Sequence, residues 1–185
     1  MKYLKTIIST LLLFQLIGCA SFTNNLPSND FNKITQNDIE KINGKYRIYP
    51  IKDSTKSKNI YKDLTGVWWR AKKNNLELNN NSNYYVEIKV INSSELNLIV
   101  FENESEIARK KIKGKLKNGM FYINQKMSIS GLPYIFGTFV VDKKRIGLRK
   151  NNLIIDKINH EFGAVFIIFT AGFKYLEFQE YERID

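Results

Sequence analysis

From Tyr84 onward the chain alternates apolar and polar side chains in short runs separated by Asn, Ser and Gly, the pattern of antiparallel strands joined by hairpins. YYVEIKVI sets Val86, Ile88 and Val90 against Glu87 and Lys89, and an NSSE turn returns the chain into LNLIVFE. There both parities are apolar, which predicts a strand covered on two sides. A turn around Asn103 to Ser105 leads into a long strand ending at Lys117, and Asn118-Gly119 is the strongest hairpin signal, because a type I′ turn needs positive φ at both central positions. A two-residue loop there pairs Lys117 with Met120, Leu116 with Phe121, Lys115 with Tyr122 and Gly114 with Ile123. Asn151-Asn152 predicts a second such turn, pairing Lys150 with Leu153 and Leu148 with Ile155. SISGLPYIFGTFVV predicts a bend at Gly131, Pro133 and Gly137, with strand resuming near Phe136. The apolar run Gly163 to Thr170 fits a buried strand or a helical turn. The closing FKYLEFQEYERI sets Leu176, Phe178 and Ile184 against Glu177, Gln179 and Arg183.

Apart from that alternative over 163–170, helical pattern lies before Tyr84. Thr35 to Asp38 offers a capping-box start with Ile39 and Ile42 facing inward and Gly44 as a stop. GKYRIYP reads as a first strand that Pro50 ends or places at an edge. In NIYKDLTGVWWRA, residues Ile60, Leu64, Val67, Trp68 and Ala71 fall on one helical face, although Gly66 weakens a helix by about 1 kcal/mol relative to alanine. The expected fold is mainly β: an antiparallel meander of about eight to ten strands, closed or nearly closed into a small barrel, with one or two short helices near the amino terminus. A strongly curved open sheet is the alternative. A transmembrane barrel is disfavoured, because its lysine-bearing faces would meet lipid.

The first residues follow another logic. Lys2 and Lys5 precede a mainly apolar run from Thr6 to Gly18, which ends at Cys19 and is followed by an Asn- and Ser-rich stretch. That is secretory signal architecture, and the run is shorter than the roughly 20 apolar residues a membrane-spanning helix needs. Leu16-Ile17-Gly18-Cys19 resembles the bacterial lipobox. The resemblance implies cleavage before Cys19, a diacylglycerol on its sulfur and usually a third acyl chain, such as palmitate, on the new amino terminus. Two or three chains hold durably where one holds only marginally. It also implies the outer membrane, since Ala20 stands where an aspartate would favour inner-membrane retention. The expected organisation is a cleaved signal peptide over 1–18, a lipidated cysteine and flexible tether over 19–42, and one β domain over 43–185. Gly66-Val67-Trp68 resembles the glycine-any-tryptophan signature of lipocalin barrels, which implies that Trp68 plugs one barrel end and that a late arginine such as Arg183 stacks on it.

Removing residues 1–18 leaves 167 residues with 27 basic against 18 acidic side chains, a formal charge of +9. In a cytosolic protein that balance points to nucleic acid. An exported one meets phospholipid headgroups or acidic envelope polymers instead, so no nucleic-acid partner is expected. The basic residues form two groups. Arg109, Lys111, Lys113, Lys115 and Lys117 share one face of a predicted strand, and Lys143, Lys144, Arg145, Arg149 and Lys150 cluster around a predicted hairpin. Cys19 is the sole cysteine and His160 the sole histidine, placed by the pattern in a polar turn. No phosphate loop, nucleophile elbow or zinc spacing appears. The carboxylates Glu177 and Glu180 read equally as surface charge. No enzyme activity, metal or cofactor is expected beyond covalent lipid. The many aromatics read as barrel core, or alternatively as the lining of a pocket for an apolar ligand. Two functions follow: a non-catalytic envelope lipoprotein that docks its basic surface on anionic lipid, polymer or a protein partner, or a lipocalin-like carrier.

Overall fold

A computed structural model of the protein describes residues 22, 31–52, 58–66, 76–79, 81–132, 136–165 and 169–185. Residues 1–21, with the signal and Cys19, and Val67 to Ala71, with Trp68, lie outside the described residues.

Among the described residues the chain forms one nine-stranded antiparallel sheet. β1 is Phe31–Asn32, β2 Gly44–Arg47, β3 Tyr84–Asn92, β4 Glu95–Glu102 and β5 Ser105–Lys117. β6 is Met120–Leu132, β7 Phe136–Arg149, β8 Asn152–Val165 and β9 Phe169–Tyr181. Strands β2 to β9 are neighbours in chain order, and β1 pairs with the end of β7. This is the expected meander. The ladder runs as an open path and does not close continuously; β2 meets the segment just past β9 at an isolated bridge, Tyr46 to Arg183.

The Asn118-Gly119 turn forms as its residue types require, with φ of 52° and 78°, and all four predicted pairs around it are present. Asn103 and Glu104, at 46° and 69°, make an equivalent turn between β4 and β5. The second hairpin differs from expectation. Its loop is Lys150-Asn151, with Lys150 at φ 52°, so Leu148 faces Leu153 instead of Ile155. Both registers send Leu153 and Ile155 to the same face, so apolar alternation alone does not separate them. β6 runs through Gly131 to Leu132, and β8 reaches Val165, so both ambiguous stretches contribute strand.

Among the described residues two short helices cap the core. A 3₁₀ segment, Gln36–Ile42, begins where Thr35 donates its backbone N–H and its hydroxyl to the Asp38 carboxylate. Ile39 and Ile42 are buried as predicted. Helix α1 is Ile60–Thr65, capped by the Asn59 side chain accepting from the Lys62 N–H at 2.8 Å. Ile60 and Leu64 from α1 join Tyr46, Leu98, Phe121, Ile146 and Tyr181 in the apolar core. The fold also claims part of the stretch expected to be a tether. Within the stretch expected as a tether over 19–42, Ile34 is buried, its N–H bonds the Gly119 carbonyl at 3.1 Å, and Phe31 and Asn32 pair with β7. Arg183 caps this end over the Tyr46 ring, 5.9 Å from its centroid, and donates to the Asn43 carbonyl at 2.6 Å.

Gly114 faces this core on β5, and a Cβ there would overlap the Tyr122 carbonyl oxygen and the Phe121 ring. Backbone cannot yield as a long side chain can. Gly114→Ala is therefore expected to destabilise the fold by about 1–3 kcal/mol, read as a lower urea midpoint with unchanged slope.

Candidate functional site

The predicted cationic row on β5 forms. Alternation turns Ile112 and Gly114 inward and leaves Arg109, Lys111, Lys113, Lys115 and Lys117 exposed on the opposite face, about 7 Å apart along the strand. Two of the five are matched by carboxylates: Lys113 lies 3.4 Å from Glu95 and Arg109 2.6 Å from Glu106. Hydrogen bonds from Arg109 hold the Glu106 carboxyl below its usual range. Lys111, Lys115 and Lys117 have no carboxylate partner among the described residues.

The second basic group is not a surface patch around a hairpin. Lys143, Lys144 and Arg145 lie in the interior of β7, paired with β6 on one side and β8 on the other, and alternation splits them between two faces. Arg145, 3% exposed, points outward. It donates to Asp156 at 2.8 Å and to the Tyr122 hydroxyl at 3.1 Å, and its guanidinium lies under the Phe22 ring, 4.3 Å from the centroid. The Phe22 ring meets Tyr122 edge-on at 5.5 Å. Burial pushes the Asp156 carboxyl up, against the pull of Arg145. Arg149 is half-buried and bonds Glu180 at 3.2 Å.

Lys144 points inward and belongs to an ion network that the sequence pattern does not announce. Lys157 on β8 contacts Asp63 of α1 and Glu177 of β9, both at 2.6 Å. The Tyr181 hydroxyl donates to Asp63, and Lys58 pairs with Glu177. Lys144 donates to the Gly66 carbonyl and stands 3.5 Å from Asp142, while Lys126 reaches the Thr65 carbonyl at 3.2 Å. These lysines satisfy carbonyl groups at the carboxy end of α1. Burial lifts the Asp142 carboxyl and lowers the Lys144 ammonium. Burial also works to raise Glu177, but hydrogen bonds from Lys157 and Lys58 prevail and bring it to about 2.

This network sets the orientation of β9. Glu177 and Gln179 share the inward parity of Tyr181, and Leu176 and Phe178 face out and are exposed. Glu177 and Glu180 stand on opposite faces, so they are not a carboxylate pair. His160 sits within β8, opposite Val141 and Lys174, rather than in a turn. Among the described residues no three His, Cys, Asp or Glu side chains gather where they would hold a metal ion. Of the predicted aromatics, Phe121 is core, whereas Phe136, Phe162 and Phe173 are exposed and Trp68, Trp69, Tyr134 and Phe166 lie outside the described residues.

Comparisons with family models, curated proteins and solved structures find no match to this chain.

Glu177 binds its proton less tightly in the fold, at about 2 against an ordinary 4.5. Its stabilisation is complete above the ordinary value and disappears as the pH falls through about 2; Asp142 and Asp156, raised by burial, act in the opposite sense. Urea midpoints measured across that acid range are expected to fall less steeply for Glu177→Gln than for the parent.

Proposed function

We propose that the protein is a lipid-anchored component of a bacterial envelope, held through a diacylglyceryl Cys19 in the outer membrane, whose single β domain is a non-catalytic interaction module. The observation that carries this reading is the β5 face, where Lys111, Lys115 and Lys117 are exposed without a carboxylate partner among the described residues. Exposed ammonium groups at strand spacing suit a surface of repeated negative charge, such as phospholipid headgroups. The +9 charge of a chain beginning at Cys19 draws it to the same surface. The lipobox-like Leu16-Ile17-Gly18-Cys19 supports the anchor.

The finer architecture in this proposal is a barrel sealed where β2 meets the end of β9. Supporting it are bonds from the Arg47 N–H to the Glu182 carbonyl at 2.8 Å, from Ile184 to Lys45 at 2.9 Å and from Ile51 to Glu180 at 2.8 Å. A carrier role has one observation in its favour. Asp142 Oδ1, Asn159 Oδ1 and Glu161 Oε2 are buried on the inward face with no hydrogen-bond partner among the described residues. Such oxygens suit water or a donor-bearing guest rather than an apolar one. Native mass spectrometry that finds no copurifying polar molecule would set the carrier aside.

Each lysine near an anionic bilayer contributes about 1 kcal/mol. Lys111→Gln, Lys115→Gln and Lys117→Gln combined are therefore expected to weaken binding of the domain to phosphatidylglycerol vesicles by roughly 100-fold and to flatten its salt dependence. An unchanged salt response would overturn the docking role. The mass of the amino-terminal peptide checks the anchor independently, an unmodified Cys19 being the contrary result.

A further inference from the structure

Strands β6 to β9 are longer than the core they cover. Pairing places side chains of one parity in rows across their outer face: Tyr122, Arg145, Asp156 and Phe178; then Lys143, Ile158 and Leu176; then Met127, Val141, His160 and Lys174; then Ile129, Phe139, Phe162 and Gly172. In these rows Val141 and Ile158 are buried, whereas Met127, Ile129, Phe162, Leu176 and Phe178 around them are exposed, Ile129 to 77%. Such a grouping on one face marks an interaction surface, whereas single exposed apolar residues do not.

The amino-terminal chain indicates what covers it. Phe22 is seated on Arg145 and Tyr122 at the first of these rows, and Cys19 is only three residues earlier. Three residues span no more than about 11 Å. A lipid on Cys19 therefore emerges beside this face: Leu176 is one row from Arg145 and Met127 two rows, about 13 Å along the strands. The charges agree. Lys143 and Lys174 share the face, and Asp156, its carboxylate within these rows, is held by Arg145. Lys115 pairs with Tyr122 and so extends the first row into the β5 cationic face.

We propose that the outer face of the distal half of β6–β9 lies in the headgroup and acyl boundary of the bilayer that holds the Cys19 lipid, with Met127, Ile129, Phe162, Leu176 and Phe178 inserted. The inference rests on the lipid-anchor reading and adds an orientation to it. The domain lies along the membrane on this face, with the β5 lysines at its margin over anionic headgroups. Apolar side chains flanked by cations are the composition of an interfacial surface.

The test uses the lipidated protein beginning at Cys19 in phosphatidylethanolamine and phosphatidylglycerol vesicles, with Ile129→Cys, Leu176→Cys or, as control on β3, Lys89→Cys carrying an environment-sensitive dye. A thioether on Cys19 leaves the introduced thiol the reactive one. The dyes at 129 and 176 are expected to shift to the blue in vesicles and to be quenched by spin labels on the acyl chains, while the dye at 89 stays water-like. Water-like emission at all three positions would overturn the proposal. A blue shift that arises without vesicles and grows with protein concentration would also overturn it, making a second copy of the chain the occupant. The mass of the amino-terminal peptide separates the two readings. A lipidated Cys19 with unshifted dyes leaves the anchor standing and removes the docking, and an unmodified Cys19 removes the anchor itself.

Discussion

Lys157 lies on the inward face of β8, with Asp63 of α1 and Glu177 of β9 each 2.6 Å from its ammonium group. An ammonium enclosed in protein is costly unless carboxylates and good geometry surround it, and removing one partner of a buried pair costs about 3–5 kcal/mol. The arrangement ties α1 to the sheet, because Asp63 also accepts from Tyr181, and the neighbouring lysines Lys126 and Lys144 take up the carbonyls of Thr65 and Gly66. It also sets the parity of β8 and β9. Once Lys157 and Glu177 face inward, Leu176 and Phe178 have to face out, since successive side chains on a strand alternate.

The inward side of the sheet is accordingly divided. At one end Tyr46, Leu98, Phe121, Ile146 and Leu153 pack into an apolar core beneath the 3₁₀ segment and α1. At the other, Asp142, Lys144, Lys157, Asn159, Glu161 and Glu177 take much of the inward face, while Met127, Ile129, Phe162, Leu176 and Phe178 lie on the outside. The surface follows from this division: a cationic face on β5, an apolar face on the distal half of β6–β9, and between them the Arg145 site on which Phe22 rests.

Much of the fold was legible. The meander, the Asn118-Gly119 register, the burial of Ile39 and Ile42 and the exposed β5 lysines follow from local turn chemistry and period-two alternation, which depend only on neighbouring residues. The faces of β8 and β9 were not. Alternation marks two parities without saying which is inside, and the usual assumption that apolar means inward fails where Asp63, far off in sequence, compensates Lys157. The second basic group misled for a related reason: KKRIGLRK reads as a charged hairpin, yet Lys144 and Arg145 lie in a central strand, Lys144 beside Asp142 of the same strand and Arg145 matched by Asp156 of β8. The two-residue displacement at Lys150-Asn151 keeps every apolar face intact, so the pattern carried no information against it.

β6 continues to Leu132, but its ladder with β5 ends at Ile123. Beyond that point its outer rim offers backbone N–H and C=O groups that β5 does not engage, beside apolar side chains. Such a rim is a template for strand addition from a neighbouring molecule, which natural sheets blunt with lysine, irregular register or glycine. Lys126, the register shift between Ile123 and Lys126, and Gly131 at φ 120° supply each of these along this stretch. The consequence concerns handling: along this stretch these devices work against pairing of the β6 rim with a second copy of the chain.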